Sequence, residues 1–447
     1  MNITFLGACQ MVTGSHYLLE HDDTRLVMDC GMIQGEQFTD DKNYADFAFD
    51  PSTISAVCVT HAHIDHCGRI PRLVREGFTG QIIATHATLD LAYLMLLDSA
   101  HVIQLDAELA GYPPLYVEAD VQQAVTQFHG VDYHQVVTVG PFQIEFFDAG
   151  HVLGSAFIKV TAGGKTVTFS GDLGNPPVPL LKPTEQLGAT DYLVMESTYG
   201  QRDHEPGRER KLLLSSAIYE TVTMKGTLLI PAFALERTQE LLYELNDLVE
   251  HKEIPAVPIF IDSPLAIKAT RLYPKYNTWF NQETQYLLEK GDDVFKFNGL
   301  KFTSTSEESR SILRVKPPKI VIAGSGMMQG GRVRFHAKNY LSQPENQVLI
   351  VGYQVKGSLG RQLLEKAKVV NIDGDTIPVR AKVRAIGAYS AHADQTKLVS
   401  WVHTAQRPPQ HIWLTHGEPE NAEVLGGVLQ RRGFTVSAPV SGQSVEL

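Results

Sequence analysis

The residues with the clearest chemical potential are three histidines and one aspartate packed into six positions, His61, His63, Asp65 and His66, directly after the apolar stretch 54–59. Imidazole nitrogen and carboxylate oxygen are the ligands that zinc takes in catalytic sites, where one position stays open for water. Alternate residues of an extended turn point the same way, so the first two histidines can face one metal ion and the last two residues a second. A solvated histidine-rich loop is the alternative interpretation, but it does not explain the preceding strand.

Four more residues of metal-binding type stand at the ends of predicted apolar strands. These residues are Asp29, His151, Asp172 and His416, and each has a glycine one or two positions away. Glycine lets the backbone turn sharply and leaves room beside a ligand. Any one of the four alone is more typical of a turn or a helix cap. Together with the first cluster they predict that several strand ends meet at one metal site.

In this order, the seven ligand-type residues and Asp29 resemble the metal-binding motifs of the metallo-β-lactamase superfamily. Three further residues resemble the additional motifs of its β-CASP branch: Glu196 in the sequence ESTYG, His336 in GRVRFH and His392 in SAHAD. That branch contains nucleases, including the endonuclease of eukaryotic pre-mRNA 3′-end processing and compact bacterial and archaeal relatives. The resemblance covers nearly the whole chain, and it is greatest to short bacterial RNA-cleaving members.

The resemblance implies an α/β fold, namely a metallo-β-lactamase αββα sandwich with an inserted parallel-sheet β-CASP domain. The expected boundaries are 1–207 for the first part of the sandwich, 208–370 for the insert and 371–447 for the return segment. The pattern itself agrees, because short apolar runs alternate with helical stretches after the polar linker 201–207, and such alternation is typical of parallel sheets.

The resemblance also implies two Zn²⁺ ions with defined ligands. One ion is expected on His61, His63, His151 and Asp172, and the other on Asp65, His66, Asp172 and His416, so that Asp172 bridges. Asp29 is expected to orient the ligand loops without binding metal.

The activity implied is hydrolysis of RNA to 5′-phosphate and 3′-hydroxyl ends. His392, held by Glu196, is the expected general acid for the leaving oxygen. His336 is expected to donate to a phosphate oxygen, and Asp65 to act at the reacting centre. A histidine at the last of these motifs is typical of RNA-cleaving members, although nothing in the residues excludes single-stranded DNA.

A glycine-rich turn at residues 324–331 precedes a predicted helix. Free N–H groups at such a helix start can hold an anion. In a β-CASP protein the turn would bind a phosphate through Ser325, Gly326 and Arg332, with His336 nearby. A plain strand-to-helix turn without a ligand is the alternative.

Composition places the chain among globular enzymes, with 447 residues and 43% hydrophobic residues. No apolar run reaches the length of a membrane span, and residues 1–5 suggest a first strand rather than a signal peptide. The four cysteines, all before residue 68, lack CxxC spacing and fit reduced thiols. A cytoplasmic protein without a membrane partner is therefore predicted.

The net charge of −11 argues against a nucleic-acid partner, because phosphate binding usually needs a basic surface. Bound zinc would restore positive charge locally, and residues 301–338 hold eight Lys or Arg against Glu307 and Glu308 alone. A locally basic RNA-binding edge and an ordinary solvated basic face both fit this stretch.

Single-stranded RNA is the expected partner and endonuclease the preferred activity. Three alternatives stay open: an RNA 5′-exonuclease, a hydrolase of small esters, lactones or thioesters, and a non-catalytic RNA-binding subunit. The last is disfavoured because all metal ligands are present. The sequence leaves the oligomeric state open, a homodimer included.

Overall fold

The computed structural model describes residues 1–34 and 41–447. Within these ranges the chain forms two compact units. The first unit comprises residues 1–176, 183–203 and 392–447, and the second comprises 177–182 and 204–391. The chain thus leaves the first unit, builds the second and then returns.

The strands in chain order are β1 (Asn2–Phe5), β2 (His16–His21), β3 (Thr24–Cys30), β4 (Ala56–Cys58), β5 (Gln81–Thr85), β6 (Phe128–Val131), β7 (Val137–Val139), β8 (Phe142–Asp148), β9 (Ala156–Ala162), β10 (Lys165–Phe169), β11 (Tyr192–Glu196), β12 (Thr227–Pro231), β13 (Ile259–Asp262), β14 (Leu300–Phe302), β15 (Lys319–Ala323), β16 (Gln347–Ile350), β17 (Val369–Ile372), β18 (Asp375–Pro378), β19 (Lys382–Ala385), β20 (His411–Thr415), β21 (Val436–Ser437) and β22 (Ser444–Glu446).

The α-helices are α1 (Asp41–Tyr44), α2 (Ile64–Cys67), α3 (Ile70–Arg75), α4 (His86–Ala110), α5 (Glu118–Val125), α6 (Arg210–Thr223), α7 (Arg237–Glu250), α8 (Pro264–Thr270), α9 (Gln282–Glu289), α10 (Ser306–Ser311), α11 (Arg332–Tyr340), α12 (Leu359–Leu364), α13 (Gln395–Val402) and α14 (Pro419–Arg431). Short 3₁₀ turns lie at Pro51–Thr53, Gly207–Glu209, Tyr273–Trp279, Ile312–Arg314 and Gly387–Tyr389. None of the helices in the described ranges is long and apolar enough to cross a membrane.

Two seven-stranded sheets form the first unit, in the orders β22-β1-β2-β3-β4-β5-β6 and β21-β20-β11-β10-β9-β8-β7. Alternate residues of a strand face opposite sides, and each sheet turns one apolar face inward. Leu19 and Met28 of one sheet belong to the same buried cluster as Phe146, Ile158 and Phe169 of the other. The core of the unit therefore lies between the sheets.

Helices cover the outer faces of the sandwich. Leu398 and Val402 of α13, with Leu425 and Leu429 of α14, are buried with Leu414 of β20. On the other sheet, α4 contacts β5, β6 and α5, and α5 also contacts α3. The expected αββα sandwich is confirmed.

A six-stranded sheet in the order β14-β13-β15-β12-β16-β19 forms the second unit, and all its strand pairs are parallel. The expected parallel-sheet insert is therefore confirmed. Its strands are nearly continuous apolar runs, such as KIVIA in β15, because both faces of such a sheet are covered.

The second unit extends beyond the expected limit of residue 370. Strand β19 pairs with β16 along Gln347–Ile350, so residues up to 391 remain in the second unit. A short 3₁₀ turn, Gly387–Tyr389, follows β19. Sequence periodicity could not assign β19 to a sheet, because a four-residue strand carries no information about its neighbour.

Candidate metal centre

The ends of six strands in the first unit supply the chemistry. Asp29 lies in β3, the histidine run follows β4, His151 follows β8, Asp172 follows β10, Glu196 ends β11 and His416 follows β20. The single-turn helix α2 then carries Asp65 and His66. The structure brings together all seven residues predicted as metal ligands, in two groups.

The first group consists of His61, His63, His151 and Asp172. Nδ1 of His63 lies 3.0 Å from Nε2 of His61 and 3.3 Å from Nε2 of His151. Oδ2 of Asp172 lies 3.4 Å from Nε2 of His61 and 3.5 Å from Nε2 of His151. Four ligand atoms thus surround a single point.

The second group consists of Asp65, His66 and His416, and Asp172 reaches it with its other oxygen. Nε2 of His66 lies 3.2 Å from Nε2 of His416, which lies 3.4 Å from Oδ2 of Asp65. Oδ1 of Asp172 lies 3.3 Å from Nε2 of His66 and 3.5 Å from Nε2 of His416. One carboxylate therefore turns one oxygen to each group.

The outer nitrogens of two of these rings have fixed partners. Nδ1 of His66 lies 2.7 Å from Oδ2 of Asp29, and Nδ1 of His61 lies 3.1 Å from Oγ1 of Thr60. Asp29 also accepts hydrogen bonds from the backbone N–H and the hydroxyl of Thr60, at 2.8 and 2.9 Å. A carboxylate behind a histidine sets its tautomer and leaves Nε2 as the ligand atom.

The donor set fits divalent cations. A neutral imidazole has one lone pair and one N–H, so Nδ1 of His63 cannot form good hydrogen bonds with two other ring nitrogens while these also face a carboxylate. A cation at the centre of each group satisfies all of these atoms at once. Burial lowers the pKa of both His61 and His416 to about 3, which keeps their rings neutral, as metal ligands must be.

A third group lies beside the first two and consists of Asp172, Glu196 and His392. Nδ1 of His392 lies 3.0 Å from Oε2 of Glu196 and 3.9 Å from Oδ2 of Asp172. Oε1 of Glu196 accepts a 2.5 Å hydrogen bond from the backbone N–H of Leu173. Burial lowers the pKa of His392, but the carboxylates of Glu196 and Asp172 outweigh it and raise the pKa to about 9.

Backbone contacts hold His392 beside the ligand loops. His392 forms a β-bridge with Gly174, and the N–H of Ala393 donates to the carbonyl of Leu173 at 2.8 Å. Asp394 caps α13 by accepting from the N–H of Lys397. The loop after β10, which carries Asp172, therefore also positions the histidine.

Sequence models of three families match consecutive parts of the chain. The metallo-β-lactamase superfamily matches residues 12–196, the β-CASP domain residues 238–363, and a Zn-dependent metallo-hydrolase RNA specificity domain residues 376–439. A ribonuclease of Thermus thermophilus is 37% identical over 445 residues, which is 100% of both chains. The chain belongs to the β-CASP branch of the metallo-β-lactamase superfamily.

Two other relatives show how widely this β-CASP architecture occurs. An RNase J-like protein of Methanocaldococcus jannaschii is 33% identical over 93% of this chain and 92% of its own length. Integrator complex subunit 11 of Danio rerio is 29% identical over 100% of this chain and 74% of its own length. A crystal structure of a protein of unknown function from Enterococcus faecalis shares the fold, with a TM-score of 0.58 at 12% identity over 100% of this chain and 99% of that one.

Family membership makes the chain a hydrolase and implies a divalent metal site, which is the chemistry that the first two residue groups offer. The family membership predicted from the sequence motifs is therefore confirmed.

His336 has a different environment from His392. Its ring is fully buried in the second unit, and Nε2 lies 2.7 Å from Oδ2 of Asp262. Asp262 also accepts from Nη1 of Arg332 at 2.7 Å, from Thr303 at 2.7 Å and from Ser309 at 2.5 Å. Burial raises the pKa of Asp262, but these hydrogen bonds outweigh it and lower the pKa to about 2. The geometry thus favours a structural role for His336, and the expected phosphate contact stays a prediction.

Four of the eight cations of the basic stretch have polar partners within the second unit. Nη1 and Nη2 of Arg332 also donate to the carbonyls of Thr303 and Ser304, at 2.9 and 2.8 Å. Arg334 pairs with Asp373, Lys338 pairs with Asp375, and Lys319 donates to two carbonyls. The side chains of these four residues therefore stabilise the second unit.

The glycine-rich turn closes on itself. The N–H of Ser325 donates to the carbonyl of Gly330 at 3.3 Å, and the N–H of Gly330 donates to Oγ of Ser325 at 3.3 Å. A Cβ at Gly326 would lie 2.4 Å from the ring of Phe233, so only glycine fits there. The expected anion contacts of Ser325 and Gly326 stay predictions.

Sequence reasoning missed Thr60 and Asp262. Thr60 gives no sequence signal, because its partners Asp29, His61 and His66 are recognised only by their positions in space. Asp262 did carry a signal. It is an aspartate at the end of an apolar strand, the same feature that identified Asp172.

Proposed function

We propose that the chain is a zinc-dependent endoribonuclease that hydrolyses RNA phosphodiester bonds to 5′-phosphate and 3′-hydroxyl ends. The observation that carries the proposal is the pair of ligand groups that share Asp172, with His392 and Glu196 beside them. The full-length similarity to a protein named a ribonuclease supports RNA as the substrate, and RNA processing as the physiological setting.

Two Zn²⁺ ions are proposed, each held by the imidazoles and carboxylates of one group. His61, His63 and His151 would hold one ion, Asp65, His66 and His416 the other, and Asp172 both. When bound, such a pair supplies an activated water and a positive charge next to the phosphoryl oxygens.

The protein residues contribute orientation and a proton. Asp29 and Thr60 hold the rings of His66 and His61, so that the Nε2 atoms face inward. Glu196 holds Nδ1 of His392, which leaves the opposite edge of the imidazolium to donate a proton to the departing 3′ oxygen. The side chain of His392 is 15% exposed, against 0% for Glu196, so the histidine is the member of the pair that substrate can reach.

Contacts to RNA from the β-CASP domain are proposed at Ser325, Gly326, Arg332 and His336. The side chains of Arg332 and His336 are held by Asp262, and a phosphate would have to displace that carboxylate.

The test is incubation of the zinc-loaded protein with single-stranded RNA labelled at either end, followed by mapping of the fragment ends. Internal cuts with 5′-phosphate ends are expected. Release of mononucleotides from the 5′ end alone would indicate the exonuclease alternative. Turnover of small esters or lactones without any RNA cleavage would overturn the proposal.

A further inference from the structure

An arginine that neither the motifs nor the metal groups include shares a neighbour, Tyr199, with His392. Arg202 follows β11 in a turn that is tied to the start of α13. Tyr199 forms a β-bridge with Asp394, the N–H of Gln395 donates to the carbonyl of Arg202 at 3.2 Å, and Nε2 of Gln395 donates to the carbonyl of Gly200 at 2.7 Å. The turn is therefore fixed to the segment that carries the proposed proton donor.

The ring of Tyr199 neighbours both Arg202 and His392. Cζ of Arg202 lies 5.2 Å from the centre of this ring, and the ring centre lies 6.3 Å from that of His392. Tyr199 is 4% exposed, whereas Arg202 is exposed to solvent. A guanidinium stacked on a ring by one face keeps its edge N–H groups available for a second partner.

Arg202 also differs from its neighbours in charge compensation. Lys397 pairs with Asp394, and Asp203 accepts from the N–H of Thr396. In the described ranges no carboxylate forms a salt bridge with Arg202, unlike Arg332 and Arg334. An oriented guanidinium without an acidic partner, next to a site for phosphodiesters, matches an anionic ligand with paired oxygens.

We propose that Arg202 binds an RNA phosphate on the leaving side of the cut, namely the phosphate 5′ to the nucleotide whose 3′ oxygen departs. The inference rests on the proposed function, because His392 marks the leaving side only if it protonates that oxygen. Arg202 would hold the upstream part of the RNA so that its 3′ oxygen stays beside His392.

The first measurement is RNA affinity across a salt series for Arg202→Ala, in a His392→Gln background that does not cleave. Loss of one phosphate contact should lower the salt slope of single-strand binding by about 0.7 and weaken binding about tenfold. Arg432→Ala is the matched control, since it removes the same charge from an exposed position at the C-terminal end of α14, a helix about 20 Å long. The control should leave affinity and slope unchanged.

The second measurement is cleavage in the active protein, with two substrates. On an oligonucleotide, Arg202→Ala should raise KM about tenfold. On a dinucleotide, which has no phosphate upstream of the cut, Arg202→Ala and wild type should be equal. Equal losses on both substrates, an unchanged salt slope, or the same slope change in Arg432→Ala would each overturn the assignment. Failure of wild type to cleave RNA, with the slope change intact, would overturn the proposed function and the leaving-side position but leave a phosphate contact at Arg202.

Discussion

Two buried clusters in this chain each combine aspartate and histidine, yet they differ in the partners of their polar atoms. Around Asp172, pairs of ring nitrogens lie 3.0–3.3 Å apart, and Oδ1 of Asp172 has no hydrogen-bond partner among the described residues. Around Asp262, one carboxylate receives four donors, one of them the permanently charged Arg332. A cation would satisfy the nitrogens and carboxylate of the first cluster, whereas protein donors already satisfy the Asp262 carboxylate of the second. The same residue types therefore form a metal site in one unit and a hydrogen-bonded structural cluster around Asp262 in the other.

The largest effect expected from this difference is on metal content. Wild-type protein purified without chelator should contain zinc near two per chain, and Asp172→Ala should lose both ions and all RNA cleavage, because both groups share this carboxylate. Elemental analysis and cleavage of labelled RNA measure this. A single tight zinc, together with a fully active Asp65→Ala variant, would contradict the binuclear site.

The next largest effect concerns His392, which lies beside the metal groups without belonging to either of the two sets. His392→Ala should lower turnover by about 10²–10⁴-fold, with zinc content and RNA affinity intact, because only proton donation is lost. RNA with a 3′-thio leaving group needs no proton and should restore the rate. Loss of zinc from the variant would instead make His392 a ligand.

For the second cluster the expected effect is on stability. Asp262→Ala should lower the free energy of unfolding by about 3–5 kcal/mol, since it leaves the buried His336 and the half-buried Arg332 without their carboxylate. Zinc content should not change. Denaturant unfolding with elemental analysis tests both statements. A variant as stable as wild type would show that Asp262 does not stabilise the second unit.

This stability should also depend on pH. The folded-state pKa of Asp262 is lowered to about 2, below its ordinary value, so its contribution is present above that ordinary value and is lost as the pH falls toward 2. The deficit of Asp262→Asn relative to wild type should therefore be full at pH 7 and should shrink between about pH 4 and pH 2. A deficit that does not change over this range would mean that the carboxylate charge is not what stabilises the cluster.

A smaller effect is expected at Asp29, whose carboxylate contacts Nδ1 of the proposed metal ligand His66. Asp29→Ala should weaken zinc binding by about 10–100-fold without abolishing it, because the ring of His66 loses its partner but keeps its position in α2. Zinc competition with a chelator of known affinity gives the change. Complete loss of zinc would make Asp29 indispensable to the site.

The smallest effect is expected at Arg334, whose partner Asp373 is half exposed. Surface pairs of this kind contribute about 0–1 kcal/mol, so Arg334→Ala should be nearly as stable as wild type, in contrast to Arg332→Ala. Comparing the free energies of unfolding of the two variants distinguishes a surface ion pair from a contact to the buried Asp262. If both variants lost the same free energy of unfolding, Arg334 would stabilise the fold as much as Arg332 does.

Much of the metal site was predictable because its signal is local. A strand must end before a side chain can leave the sheet for a ligand loop, and the apolar run followed by His or Asp is visible in sequence at residues 59–61, 147–151 and 169–172. The parallel insert was predictable for a similar reason, since its strands are apolar on both faces. The boundary near residue 391 was not, because the pairing of β19 depends on a neighbouring strand far away in the chain.

By itself the sequence determined which residues could bind metal, since imidazole and carboxylate chemistry belongs to the residue type, and it determined the order of strands that carries them. The resemblance already implied that Asp172 bridges two ligand sets and that Glu196 holds His392, but only the tertiary structure gives the distances of these contacts. Only the tertiary structure decided that Asp262 takes both His336 and Arg332. The physical reason is that a side chain's partner is set by distance and burial. Residues 196 and 392, or 262 and 336, become neighbours only when the sheets are assembled.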